Sequence, residues 1–169
     1  MRIRACFTGH RPEKLSINED KAKEILQKLI NTALEKGCTT FITGMARGTD
    51  IWAGELVLKL KETNPNIKLV CAVPYVGFET KWSKEWKDRY QWLLAKADHI
   101  EFVQNYYSTD CFMKRNMWMV DHSQIVISIF NGTPSGTKNT LDYARNKGLE
   151  LLISNEKGET KWLIIITKI

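Results

Sequence analysis

Three short segments combine residue types and spacing suited to holding an anion. They are Thr8-Gly9-His10-Arg11-Pro12, Gly44-Met45-Ala46-Arg47-Gly48-Thr49-Asp50 and Gly132-Thr133-Pro134-Ser135-Gly136-Thr137. Each follows an apolar run, and the last two lead into helical patterns. Glycine lets the backbone reach φ > 0 and lets an anion approach main-chain N–H groups. The first turn of a helix adds unpaired N–H donors and a partial positive charge, so phosphate is the expected guest. Thr137 can add a hydroxyl donor, and Arg11, Arg47 or Lys138 can neutralise charge. His10 follows a strand end beside Arg11, and Asp50 suits either a helix cap or an acceptor for ribose hydroxyls. Gly132 and Asn139, in and just after the third segment, complete the candidate set. A glycine after one strand is usually only a turn. The argument lies in several such loops meeting on one edge of one sheet.

Other chemistries lack their residues. No G-x-x-x-x-G-K-[ST] is present for P-loop hydrolysis of ATP, and no G-x-G-x-x-G follows the first strand. No G-x-S-x-G elbow offers a nucleophile. Cys6, Cys38, Cys71 and Cys111 show no C-x-x-C spacing, and the three histidines are far apart. Disulfides and metal sites are therefore not expected, and a reducing cytoplasm is. No cofactor is expected beyond a nucleotide-type ligand.

These loops need elements to position them. The 169 residues are 43% hydrophobic and 26% charged, enough for one globular domain over 1–169. Apolar runs at Ile3–Thr8, Thr39–Thr43, Ile67–Val73, His99–Val103, Gln124–Phe130, Glu150–Ser154 and Trp162–Ile166 predict strands. Helical spacing predicts a helix with a capping box at Ser16 and Glu19 that stops at Gly37, and a second capped by Asp50. Three more are expected over about Glu79–Ala97, after Asp110, and over Gly136–Asn146. In the third, Trp82, Trp86 and Tyr90 recur one turn apart, chiefly for packing, though one ring could lean over a base. Alternating strands and helices imply right-handed parallel crossovers. The expected fold is a Rossmann-like, three-layer α/β/α with a mostly parallel sheet and an antiparallel edge strand near the C-terminus. No run approaches the ~20 apolar residues of a membrane helix, and Met1–Thr8 reads as a strand rather than a signal peptide. The net charge of +6 favours a phosphorylated or polyanionic partner only weakly.

Four ordered motifs carry a resemblance. Thr8-Gly9-His10-Arg11-Pro12, Gly44 to Asp50, Arg115-Asn116-Met117-Trp118-Met119-Val120-Asp121, and Gly136-Thr137-Lys138-Asn139-Thr140 with Tyr143-Ala144 together resemble the YoqJ/YpsA-like family. That family belongs to the SLOG superfamily, with the DNA-processing protein DprA (Smf) and the LOG cytokinin-activating enzymes. The resemblance implies a Rossmann-like fold and ligand contacts at Gly9, Arg11, Gly44, Ala46, Gly48, Asp50, Gly136 and Thr137. The LOG enzymes carry P-G-G-x-G-T-x-x-E. Here Thr140 takes the place of the glutamate, Pro134-Ser135 replaces the glycine pair, and Asp142 falls on another helix face. The leading expectation is thus a protein that senses or sequesters a nucleotide-derived small molecule. The alternative is a nucleoside-phosphate hydrolase or transferase with Asp50 or Asp121 as acid/base. A third reading is DprA-like binding of single-stranded DNA, against which the loops show no evident ladder of exposed aromatics. Self-association into a homo-oligomer is implied by the resemblance, and no membrane partner is expected.

Overall fold

Apolar residues recur by turns at a period of two and at helical spacing, and the chain alternates strand and helix accordingly. In the computed structural model, which describes residues 2–163, the strands are β1 (Ile3–Gly9), β2 (Cys38–Thr43), β3 (Lys68–Val73), β4 (His99–Phe102), β5 (Ile125–Ile129), β6 (Glu150–Ser154) and β7 (Thr160–Leu163). The helices are α1 (Glu19–Glu35), α2 (Thr49–Thr63), α3 (Lys84–Lys96), α4 (Cys111–Asp121) and α5 (Gly136–Asn146). These strands form one sheet in the order β4-β3-β2-β1-β5-β6-β7. Every pairing is parallel except β6 with β7, which is antiparallel. This is the Rossmann-like arrangement with its antiparallel edge. The expected extension of the last strand over 164–166 lies outside the described residues.

The period of two assigns each strand residue to a layer. Phe7, Phe41, Cys71 and Ile127 face α1, α2 and α3 through Leu26, Ile30, Ala53, Val57 and Leu93. Their neighbours Cys6, Ile42, Ala72 and Val126 face α4 and α5 through Met119, Val120, Leu141 and Ala144. Strands covered on both faces are buried throughout, as β5 is, with Ser128 its one polar residue. All four cysteines are buried and unbonded, and burial pushes the Cys6, Cys38 and Cys71 thiols up to about 12. Arg89 ties three helices on one face. Its guanidinium reaches Glu19 of α1 at 2.8 Å and Glu55 of α2 at 2.6 Å, and Trp52 Nε1 also donates to Glu19.

Local starts differ from expectation in three places. The N-cap of α1 is Asn18, whose Oδ1 accepts from the Lys21 amide at 2.9 Å, while Ser16 donates instead to Glu156 across the fold. Gly48, not Asp50, caps α2. Helix α3 begins at Lys84 because 79–82 form turns, with Thr80 N bonded to Gly77 O and Trp82 N to Glu79 O.

Candidate functional site

Sequence order runs from β1 outward to β4 on one side and from β5 outward to β7 on the other. The order therefore reverses between β1 and β5, where the two flanking loops part and leave a crevice at the strands' carboxyl ends. A cleft of ≈ 750 Å³ opens there. It is lined by the carboxyl end of β1 and the loops after β1, β2, β3 and β5, together with one side of α4 and the first turn of α5.

The floor is built by a close approach of α2 to β1. A Cβ on Gly9 would fall inside the side chain of Thr49, so only glycine lets the start of α2 come this near. Thr49 then bonds the His10 carbonyl through its Oγ1 at 3.1 Å and its amide at 3.4 Å. Gly48 stands at φ +89°, with His10 O and Pro12 packed where a side chain would be. The loop consequently turns its own donors inward. Ala46 N donates to Asp50 Oδ2 at 3.2 Å, Ile51 N to Ala46 O, and Met45, fully buried, takes a left-handed φ of 64°. The two loops do share one rim, and within the Gly44–Asp50 turn the Met45, Ala46 and Thr49 amides are already engaged by the protein itself.

Asp50 and Arg115 lie side by side at the bottom. Both are buried, and Arg115 Nη1 donates to Gly44 O while its Nε donates to Asn116 Oδ1 at 2.7 Å. Asp50 Oδ1 is buried without a hydrogen-bond partner. Desolvation lifts the Asp50 carboxyl to about 6, despite the attraction of Arg115 and the Ala46 amide. His10 is buried against Phe130, ring centroids 5.8 Å apart, and its Nε2 accepts from Asn131 N at 3.3 Å. With Nε2 accepting, the ring proton belongs on Nδ1, and burial lowers the pKa below the usual histidine value.

The anion-receptive corner is the start of α5. Ser135 caps the helix by accepting from the Lys138 amide at 3.2 Å, while the Gly136 and Thr137 amides have no acceptor among the described residues. A Cβ on Gly136 would meet nothing within 4 Å, so packing does not require glycine there. Its absence of a side chain keeps the helix start open. Arg47 Nη2 and Arg11 Nε approach the one carboxylate of Glu13, at 3.2 and 3.7 Å, which leaves a net positive mouth that Lys14 extends.

The opposite wall is aromatic. Phe78, Trp82 and Phe112 line it, with Phe78 4.9 Å from Trp82 and 5.7 Å from Phe112 between centroids. Tyr75 and Tyr107 continue the contacts outward, and Tyr107 is 63% exposed. Of these rings Tyr107 and Phe112 are exposed and Tyr75, Phe78 and Trp82 are half-buried, so an aromatic wall borders the cleft where the sequence shows no evident ladder of exposed aromatics. Its members come from loops separated by about thirty residues, so no local pattern in the sequence marks it.

Of the expected site residues, the cleft gathers Gly9, His10, Arg11, Ala46, Arg47, Asp50, Gly136 and Thr137. Gly44 lies beneath Asp50 and Arg115, and Gly48 behind the His10 carbonyl. Gly132 takes φ +85° in the adjoining loop, and neither it nor exposed Asn139 lines the cleft. Asp121 ends α4 about 15 Å along the helix from its start, where its carboxylate accepts from Tyr143 and pairs with Lys147. Lys138 is drawn to Asp142 at 2.5 Å, and buried Thr140 donates to Gly136 O, so neither faces the cleft. Arg115 was missed as a site residue. Its signal is periodic: it occupies the inward phase of Cys111 and Met119, where an apolar residue is expected. Among the described residues no cluster of His, Cys, Asp or Glu could hold a metal, and no helix is long and apolar enough to cross a membrane.

Comparison with known proteins places these features in a lineage. The YspA SLOG family matches residues 5–164. The uncharacterized SPbeta prophage-derived protein YoqJ of Bacillus subtilis strain 168 is 34% identical over 139 residues, covering 75% of this chain and 80% of its own. A UPF0398 protein of Bacillus cereus strain G9842 is 25% identical over 152 residues, covering 85% and 83%. Among solved structures, DNA processing protein A of Streptococcus pneumoniae superposes with a TM-score of 0.65 at 18% identity, over 90% of this chain and 50% of that one. The protein of the same name from Helicobacter pylori, described for its single-stranded DNA binding mode, gives 0.64 at 17% identity, over 89% and 64%. The likeness to these two is one of fold, and this chain spans only half to two-thirds of their length.

Proposed function

Because the chain belongs to the YspA SLOG family, we propose that its cleft binds a nucleotide or nucleotide-derived phosphate ligand, which the protein senses or sequesters. One observation carries this reading. The Gly136 and Thr137 amides open onto the cleft beside a cationic mouth, and nothing of the protein fills the space a Gly136 side chain would take. A phosphate there meets two free amides, the Thr137 hydroxyl and the field of the helix start. The unpartnered Asp50 Oδ1 at the floor asks for a donor, which a ribose hydroxyl provides once small side-chain movements expose it.

Thermal shift against a panel of nucleoside phosphates tests this, since a ligand at about a hundred times its Kd stabilises by ~2.7 kcal/mol. Gly136→Asp should abolish the shift by placing a carboxylate in the anion corner. Its own melting temperature should stay at or slightly above that of the unaltered protein, because the position is open and an acidic residue suits a helix start. A panel that never moves the melting curve would end the proposal.

Binding of single-stranded DNA is a second reading, supported by the aromatic run beside the cleft and by the described behaviour of the Helicobacter pylori neighbour. It predicts retardation of a thymidine oligonucleotide at low salt. Affinity should then fall linearly with salt on logarithmic axes, by about 0.7 per phosphate neutralised. No retardation at low salt removes it.

A further inference from the structure

We infer that the wall formed by Phe78, Trp82 and Phe112 is a nucleobase subsite, so that the ligand lies across the cleft with its base here and its phosphate at the start of α5. The inference rests on the phosphate reading above and adds that the ligand carries a flat aromatic group.

The strand order sets the span. Phe78 and Trp82 follow β3 and Gly136 follows β5, three strand positions apart, so at about 4.8 Å per strand the two walls are rooted roughly 14 Å from each other. Side chains reaching in from both sides shorten that distance toward the length of one nucleoside phosphate. The two walls also differ in chemistry as the two ends of such a ligand do. One is cationic and rich in amide donors, the other offers ring faces.

The aromatic wall is not used up by packing. Phe112 is 40% exposed at the first turn of α4, tilted 58° to Phe78, whereas Tyr90, in the same aromatic cluster, is only 1% exposed. A polar group accompanies the rings. Asn116 lines the cleft one turn after Phe112, and its Oδ1 is engaged by Arg115 Nε. That bond orients the amide and leaves Nδ2 with no acceptor among the described residues. It is available to a ring nitrogen or carbonyl of a base. The middle of the cleft, over Asp50 and Arg115, then falls under the sugar.

The test is calorimetric titration with the four common ribonucleoside 5′-monophosphates and, separately, with ribose 5-phosphate. At least one nucleotide should bind well above ribose 5-phosphate. Phe112→Ser should erase about five- to a hundredfold of that advantage while leaving ribose 5-phosphate binding unchanged. Phe112→Trp should preserve it. Should the serine variant not fold, Phe112→Leu keeps an apolar side chain while removing the ring and should give the same loss. A purely structural phenylalanine would leave the ratio of the two affinities where it was. The subsite is overturned if ribose 5-phosphate matches every nucleotide, or if loss of the ring leaves the ratio intact. In either case phosphate binding at α5 still stands. If the unaltered protein binds neither class of probe, both proposals fall together.

Discussion

Asp50 concentrates the chemistry of the site in one side chain. Its Oδ2 braces the Gly44–Asp50 turn through Ala46 N, and its Oδ1 is left buried with no donor. Folding therefore favours the protonated form and raises the carboxyl from 3.8 to about 6. A raised folded-state pKa stabilises most below the unfolded value, and that contribution is lost as pH climbs through the folded value. Relative to Asp50→Asn, the unaltered protein should lose about 2 kcal/mol of stability between pH 4 and pH 7, measured by urea unfolding. A pH-independent difference would show that the carboxylate is better solvated than its burial implies. At this scale the sequence was readable where a loop's chemistry is local. Gly9, Ala46, Asp50, Gly136 and Thr137 were all found from their place after a strand. Arg115 and Phe112 were not, because nothing adjacent in sequence says that α4 turns its Phe112–Met119 side toward the cleft.

At the scale of elements, the site depends on how α2 and α3 are held. Arg89 projects from α3 between carboxylates on α1 and α2, with its side chain only 16% exposed. Replacing it by methionine keeps the apolar stem but leaves Glu19 and Glu55 with Lys23, at 3.2 and 3.9 Å, as their shared cation in place of the two-armed guanidinium. The expected loss is roughly 2 kcal/mol or more, read from the denaturation midpoint. A midpoint unchanged within error would mean that Lys23 and water satisfy both carboxylates. Element type and order were legible because each burial pattern repeats cleanly, as in α5, found with the expected bounds. The start of α3 was not. Trp82 matches the helical stripe of Trp86 and Tyr90, yet tertiary packing with Phe78 holds it in a turn. Periodicity alone does not register where a helix stops being helix. The α1 cap was misjudged for a similar reason, since Ser16 is claimed by Glu156, 140 positions away.

For the whole molecule, the strand reversal between β1 and β5 brings residues from five separate segments to one cleft, a consequence of topology that no local pattern encodes. The rim was foreseeable from the general rule for open parallel sheets; its division into a cationic and an aromatic side was not. The four buried thiols have a practical corollary. Cys6, Cys38 and Cys71 belong to strands, so a thiol reagent reaches them only when the sheet separates. Cys111 begins α4, next to the aromatic wall, and needs only a local excursion of that turn. Pulsed alkylation followed by mass spectrometry should therefore give one fast and three slow modifications. A compound seated between Phe112 and α5 should slow the first by clamping the helix start, and the other three by as much as it stabilises the fold. The molecule thus carries two clocks, one for the doorway and one for the building.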